Sequence, residues 1–125
     1  MTKPPVMAPS IVTICGSTRF RAEITDANRA LTLAGYIVLA PGVFQHAGDD
    51  LTTNDKLRLD SLHMVKIDLA HWVYVVNPGG YVGESTTREI EWATLTGKPV
   101  CSTDPTTGVI CAPLSELDAP SWGEW

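Results

Sequence analysis

Two hydrophobic periods alternate along this chain, and the switches between them mark its elements. Ile11-Val12-Thr13-Ile14-Cys15 is a short β-branched run ending at Gly16-Ser17, which reads as a buried strand leaving a core. Phe20, Ile24, Ala27, Leu31 and Ala34 then recur at helical intervals up to Gly35, the stripe of an amphipathic helix. Residues 36 to 40 form a second strand, closed by Pro41-Gly42. The spacing predicts a helix over about residues 54 to 71, with Leu62, Val65 and Leu69 on one side and Asp60, His63 and Ile67 towards the other. Both sides hold apolar residues, so the pattern leaves open which one faces the core. Residues 72 to 77 make a strong strand that Pro78-Gly79-Gly80 ends. Residues 85 to 97 read as a helix stopped by Gly97, followed by a short strand at Pro99-Val100-Cys101 and a possible fifth at residues 108 to 111.

Strands alternating with helices over short links predict an α/β fold, a small Rossmann-like three-layer sandwich with a four- to five-stranded, mainly parallel sheet. Residues 1 to 9, with three prolines and no period, read as a flexible leader, residues 10 to 111 as one domain, and residues 112 to 125 as an irregular tail. At 125 residues and 44% hydrophobic content the chain can bury one real core.

Charge and composition narrow the partners. A net charge of −5 lacks the basic surplus that polymeric phosphate demands, so no nucleic acid polymer is expected. Cys15, Cys101 and Cys111 are odd in number and lack CxxC spacing, which argues against a disulfide framework or a zinc knuckle and for a reducing compartment. No apolar run reaches signal-peptide or membrane-spanning length, so the expectation is a soluble, cytoplasmic protein without a membrane partner. His46, His63 and His71 are scattered and Asp49-Asp50 lacks further ligands, so neither a metal nor a cofactor is expected.

In open parallel sheets, ligands bind beyond the carboxyl ends of the strands, where helix N-termini present bare amides. Gly16-Ser17-Thr18-Arg19 after the first strand offers a turn, two hydroxyls and a guanidinium to an anion such as a 5′-phosphate; the alternative is a plain helix cap with a solvated arginine. Residues 44 to 50, with Phe44 and His46, follow the second strand. After the third come Asn77, Gly79, Gly80, Tyr81, Gly83, Ser85 and Thr86, where glycines admit a ligand to the backbone, Tyr81 or Phe44 can stack on a base, and hydroxyls meet a sugar or phosphate. Glu89 follows one turn into the helix. A carboxylate at that mouth suits attack on an oxocarbenium-like anomeric carbon, with Asp60, His63, Asp68 or His46 as candidates to protonate the leaving base. Thr86-x-x-Glu89 also has capping-box spacing, in which the glutamate merely bonds a cap residue's amide.

Taken together, Ile14-Cys15-Gly16-Ser17-Thr18-Arg19, the helix after residue 53 and Ser85-Thr86-x-x-Glu89-Ile90-x-x-Ala93 resemble the nucleoside 2-deoxyribosyltransferase superfamily, nearest to its 2′-deoxynucleoside 5′-monophosphate N-hydrolase branch. The resemblance spans residues 11 to 101. It implies that Glu89 attacks C1′, that Gly16, Ser17 and Arg19 hold sugar and 5′-phosphate opposite Ser85 and Thr86, and that the chain forms a homodimer or higher homo-oligomer. The expected activity is N-glycosidic cleavage of a (deoxy)nucleoside 5′-monophosphate through a glycosyl-glutamate intermediate; the alternatives are base exchange by a deoxyribosyltransferase and a non-catalytic nucleotide sensor. Where the family places an aspartate eight residues ahead of an Ala-Asp pair, this chain has His63 ahead of Ala70-His71, so Asp60 ranks first as general acid and Asp68 second. The glycine the family carries two residues after the glutamate is Glu91 here. Pro78-Gly79-Gly80-Tyr81-Val82-Gly83 also resembles a segment of the cytokinin-activating phosphoribohydrolases, which cleave the same type of bond.

Overall fold

The computed structural model describes residues 10–44 and 48–104. Four strands, β1 (Ile11–Gly16), β2 (Ile37–Leu39), β3 (Trp72–Val76) and β4 (Val100–Ser102), form one sheet in the order β2-β1-β3-β4. Every pairing is parallel, with Ile11 opposite Ile37, Cys15 opposite Val75 and Val73 opposite Val100. Parallel neighbours require crossovers, and helices α1 (Arg21–Leu33), α2 (Thr53–Leu69) and α3 (Glu84–Leu95) supply them. The expected α/β sandwich is therefore present with four parallel strands. The expected fifth strand at 108–111, the leader, the tail and His46 lie outside the described residues.

Strand residues point alternately to two faces, and both faces are covered, which is why the strands read as unbroken apolar runs. Val12, Ile14, Tyr74 and Val76 pack with Ile24, Ala27 and Leu31 of α1. Cys15, Val73 and Val75 pack on the other side with Ile67 of α2 and with Ile90 and Ala93 of α3. The structure also settles the ambiguous face of α2. His63 and Ile67 turn to the sheet, while Val65 and Leu69 are 51% and 61% exposed. Thr52 caps α2, its hydroxyl accepting from Asp55 N at 3.1 Å while the Asp55 carboxylate accepts from Thr52 N. Those bonds hold the Asp55 carboxyl below its ordinary range.

Behind the glycine turn that follows β3 lies a clasp. Asn77, fully buried, donates through Nδ2 to Asp104 O at 2.9 Å and accepts from Asp104 N at 3.0 Å. Asp104 Oδ2 accepts from Gly79 N at 2.8 Å. Gly79 and Gly80 take φ of 69° and 84°, the left-handed region that the tight turn needs and that side chains resist. Cys101 is disulfide-bonded whereas Cys15 is a free, buried thiol, so the expectation of wholly reduced cysteines is corrected at Cys101. Among the described residues no helix is long and apolar enough to cross a membrane.

Candidate active site

The chain crosses from β2 on one side of β1 to β3 on the other, and at such a switch point the loops after β1 and β3 part to leave a crevice. A cleft of about 350 Å³ occupies that place. Gly16, Ser17 and Arg19 form one wall, Asp60, His63 and Lys66 of α2 another, and the start of α3 from Gly83 to Glu89 a third. Gly16 is fixed by close approach. A Cβ there would stand 2.8 Å from the carbonyl oxygen of Val76, so β1 and β3 can lie this close at the cleft floor only with glycine.

On the first wall, Ser17 Oγ accepts from Arg19 N at 3.4 Å and from Arg19 Nε at 3.2 Å. The capping alternative thus holds for Ser17, and Arg19 is exposed at the rim of the cleft. Its guanidinium lies 4.6 Å from the centroid of the Tyr81 ring, and Tyr81 meets Phe20 edge-on at 5.8 Å. No carboxylate among the described residues pairs with Arg19.

The third wall answers the capping-box question. Helix α3 begins at Glu84 with Gly83 as N-cap and no side-chain cap, so Thr86 lies inside the first turn and cannot serve as the cap residue. Glu89 is released from that duty. It sits one turn in, with its side chain 12% exposed, pointing to the cleft floor. The first amides of α3, at Ser85 and Thr86, flank the same floor and lack intrahelical acceptors. Burial pushes the Glu89 carboxyl up to about 7; the Cys15 hydrogen bond opposes that rise, Asp60 adds to it and Arg88 opposes it.

His63 Nε2 stands 3.8 Å from Glu89 Oε1 and 3.4 Å from Cys15 Sγ. Burial, helped by the Lys66 charge, pushes His63 down to about 4, so at neutral pH its contact with Glu89 is not an ion pair. The Cys15 thiol is held well above its ordinary value by burial, then by the charge of Glu89 and its hydrogen bond to that carboxylate. One thiol proton cannot serve both neighbours; when it points to Glu89, the imidazole Nε2–H faces the sulfur.

Of the residues singled out in the sequence, Gly16, Ser17, Arg19, Asp60, His63, Tyr81, Gly83, Ser85, Thr86 and Glu89 converge on the cleft. Others are employed elsewhere. Asp68 accepts from Trp92 Nε1 at 2.8 Å on the outer seam of α2 and α3. Asn77 and Gly79 belong to the Asp104 clasp, with Gly80 in the same turn. Phe44 packs near α1, its ring 5.4 Å from the Arg21 guanidinium. Sequence reasoning missed Lys56 and Lys66, cations on the α2 wall, and Cys15, which reads as one more buried strand residue. Lys66 Nζ is anchored to Ala40 O at 2.8 Å and Lys66 O accepts from Thr13 Oγ1 at 2.7 Å, so α2 is tied to both β1 and the end of β2.

No protein-family model matches the chain, and no curated protein matches it in sequence. Among solved structures it is similar to a 2-deoxyribosyltransferase from the psychrotolerant bacterium Bacillus psychrosaccharolyticus, a biocatalyst for the synthesis of antiviral and antitumoral nucleosides. The TM-score is 0.60 at 16% identity, over 82% of this chain and 77% of that one. At that identity the likeness establishes a shared fold, a parallel α/β sandwich.

Proposed function

We propose that the chain is an enzyme of the nucleoside 2-deoxyribosyltransferase type that cleaves the N-glycosidic bond of a (deoxy)nucleoside 5′-monophosphate, with Glu89 as nucleophile. The observation that carries the reading is the placement of Glu89: a buried, uncapped carboxylate on the floor of a cleft that Gly16, Ser17 and Arg19 also line, with no carboxylate among the described residues paired to Arg19. Glu89 in its ionised form attacks C1′ as the base departs, giving a glycosyl ester that water opens. Arg19, with Lys56 at the far wall, meets the 5′-phosphate, aided by the amides of Ser85 and Thr86. Asp60 and His63 are the groups within the cleft that can manage the proton of the leaving base.

Base exchange is the second reading, favoured by the structural similarity to a 2-deoxyribosyltransferase. The same glycosyl ester serves both outcomes, and what separates them is whether water or a second base reaches it. The test is chromatographic. Incubation with the common nucleosides and their 5′-monophosphates, each with and without a different free base, should release base from a monophosphate. Glu89→Gln should lower that release by at least about a thousandfold, since the nucleophile is lost; retained activity in a folded Glu89→Gln protein would sink the assignment. Exchanged nucleoside forming faster than free sugar phosphate would favour the transferase.

The reading includes a homodimer, supported by an apolar surface along α2 and α3 where Val65, Leu69 and Leu95 are 51%, 61% and 79% exposed. A cytoplasmic setting belongs to it as well, with the disulfide at Cys101 as a feature against it.

A further inference from the structure

Glycosyl transfer does not require a thiol beneath its nucleophile, yet Cys15 is there. Its Sγ is 3.4 Å from His63 Nε2, which is 3.8 Å from Glu89 Oε1, and one donor atom from each residue lies within 4.8 Å of the other two. A tetrahedral zinc ion, with sulfur at about 2.3 Å and nitrogen and oxygen at about 2.0 to 2.1 Å, keeps its ligands about 3.3 to 3.6 Å apart. The sulfur–nitrogen edge already has that length, and the nitrogen–oxygen edge must close by only about half an ångström. The three donors come from three rigid elements, β1, α2 and α3, packed against one another around buried Ile67, Val75 and Ile90. Cys15 closes the site from the core side, while His63 and Glu89 open onto the cleft, which leaves a fourth position for water. A mixed sulfur, nitrogen and oxygen set selects a borderline cation over magnesium or calcium.

We propose that Cys15, His63 and Glu89 form a zinc-binding site with one open position, and that zinc bound there withdraws the Glu89 carboxylate from attack on the sugar. On binding, the thiol proton and any proton on Glu89 go to solvent, the His63 ring proton sits on Nδ1, and the thiolate, the Nε2 lone pair and one Glu89 oxygen displace waters from the aquated ion; no electron changes hands. A thiolate and a carboxylate together balance the dication, Asp60 adds negative charge nearby, and Lys66 and Arg88 are the cations that oppose it. This departs from the expectation of no metal, which considered only ligands close in sequence. The inhibitory half rests on Glu89 as nucleophile; the binding half does not.

Cobalt(II) titrated into the full, untagged chain tests the site, because a thiolate ligand gives a near-ultraviolet charge-transfer band and a tetrahedral ion gives intense visible bands. The expected result is one cobalt per chain, displaced by zinc. Cys15→Ala should erase the charge-transfer band, and both Cys15→Ala and His63→Gln should weaken zinc binding on the order of a hundredfold or more. Should Cys15→Ala fail to fold by circular dichroism, His63→Gln carries the comparison. Absence of the band at millimolar cobalt, or wild-type zinc affinity in folded variants, overturns the site. Zinc should also suppress base release, reversibly on chelation; undiminished release from the zinc-loaded protein overturns the inhibitory half. If the metal-free chain releases no base from any nucleotide, the functional reading fails while the cobalt band still reports on the site.

Discussion

Glu89 occupies a place that suits chemistry better than stability. A carboxyl whose pKa rises to about 7 on folding binds its proton more tightly in the native state, so its contribution to stability is lost as pH rises from about 4.5 through 7. His63 runs the opposite way: held near 4, it loses stability as pH falls from about 6.5 towards 4. Glu89→Gln should therefore be more stable than the native chain at pH 8, by about 1 to 3 kcal/mol, with the difference shrinking below pH 5. Thermal melts across that range check it, and a gain in stability alongside a loss of base release is the mark of a catalytic group rather than a structural one. The pH profile of kcat/KM should climb through about 7 as Glu89 ionises. Gly16 is a residue of the other kind. Gly16→Ala drives a methyl group against the Val76 carbonyl and should cost about 1 to 3 kcal/mol in urea unfolding, because the sheet must spread to admit it.

At the scale of elements, period and punctuation carried most of the fold. The strand starting at Ile11, the helix after Phe20 and the strand from Trp72 to Val76 follow from apolar patterning that both covered faces of a parallel sheet reinforce. Three features were illegible for physical reasons. Helix α2 has apolar residues on both sides, and only the assembled sheet shows that the His63–Ile67 side faces the core. Thr86-x-x-Glu89 fits a cap as well as a cleft, and the decision lay with Gly83, which starts α3 three residues earlier than a cap at Thr86 would. Cys15 and His63 are 48 residues apart, so nothing local announces their contact. A polar residue at a strand end looks alike as a ligand contact and as a clasp, so the sequence alone does not reveal the Asn77–Asp104 bonds. Asn77→Ala leaves the half-buried Asp104 amide without its Asn77 acceptor, while Ser102 Oγ still donates to the Asp104 carbonyl, and should cost about 1 to 3 kcal/mol, measured by chemical denaturation.

For the molecule as a whole, the outer face of α2 and α3 matters most. Val65, Leu69 and Leu95 expose an apolar surface beside the Trp92–Asp68 hydrogen bond, on the side of the sheet that also carries Glu89. The homodimer reading predicts that light scattering gives twice the chain mass, and that Val65→Asp combined with Leu69→Asp returns a folded monomer; a native chain that runs as a monomer at all concentrations removes this part of the proposal. The clasp has a consequence at this scale too. It grips the turn after β3 from behind, through Asn77, Gly79 and Asp104, and leaves Tyr81 to reach the cleft from a segment already anchored. If the proposed function holds, a library randomised at Tyr81 and the exposed Glu84 would thus vary what the crevice accepts while the scaffold beneath stays constant, a starting point for selecting altered base preference.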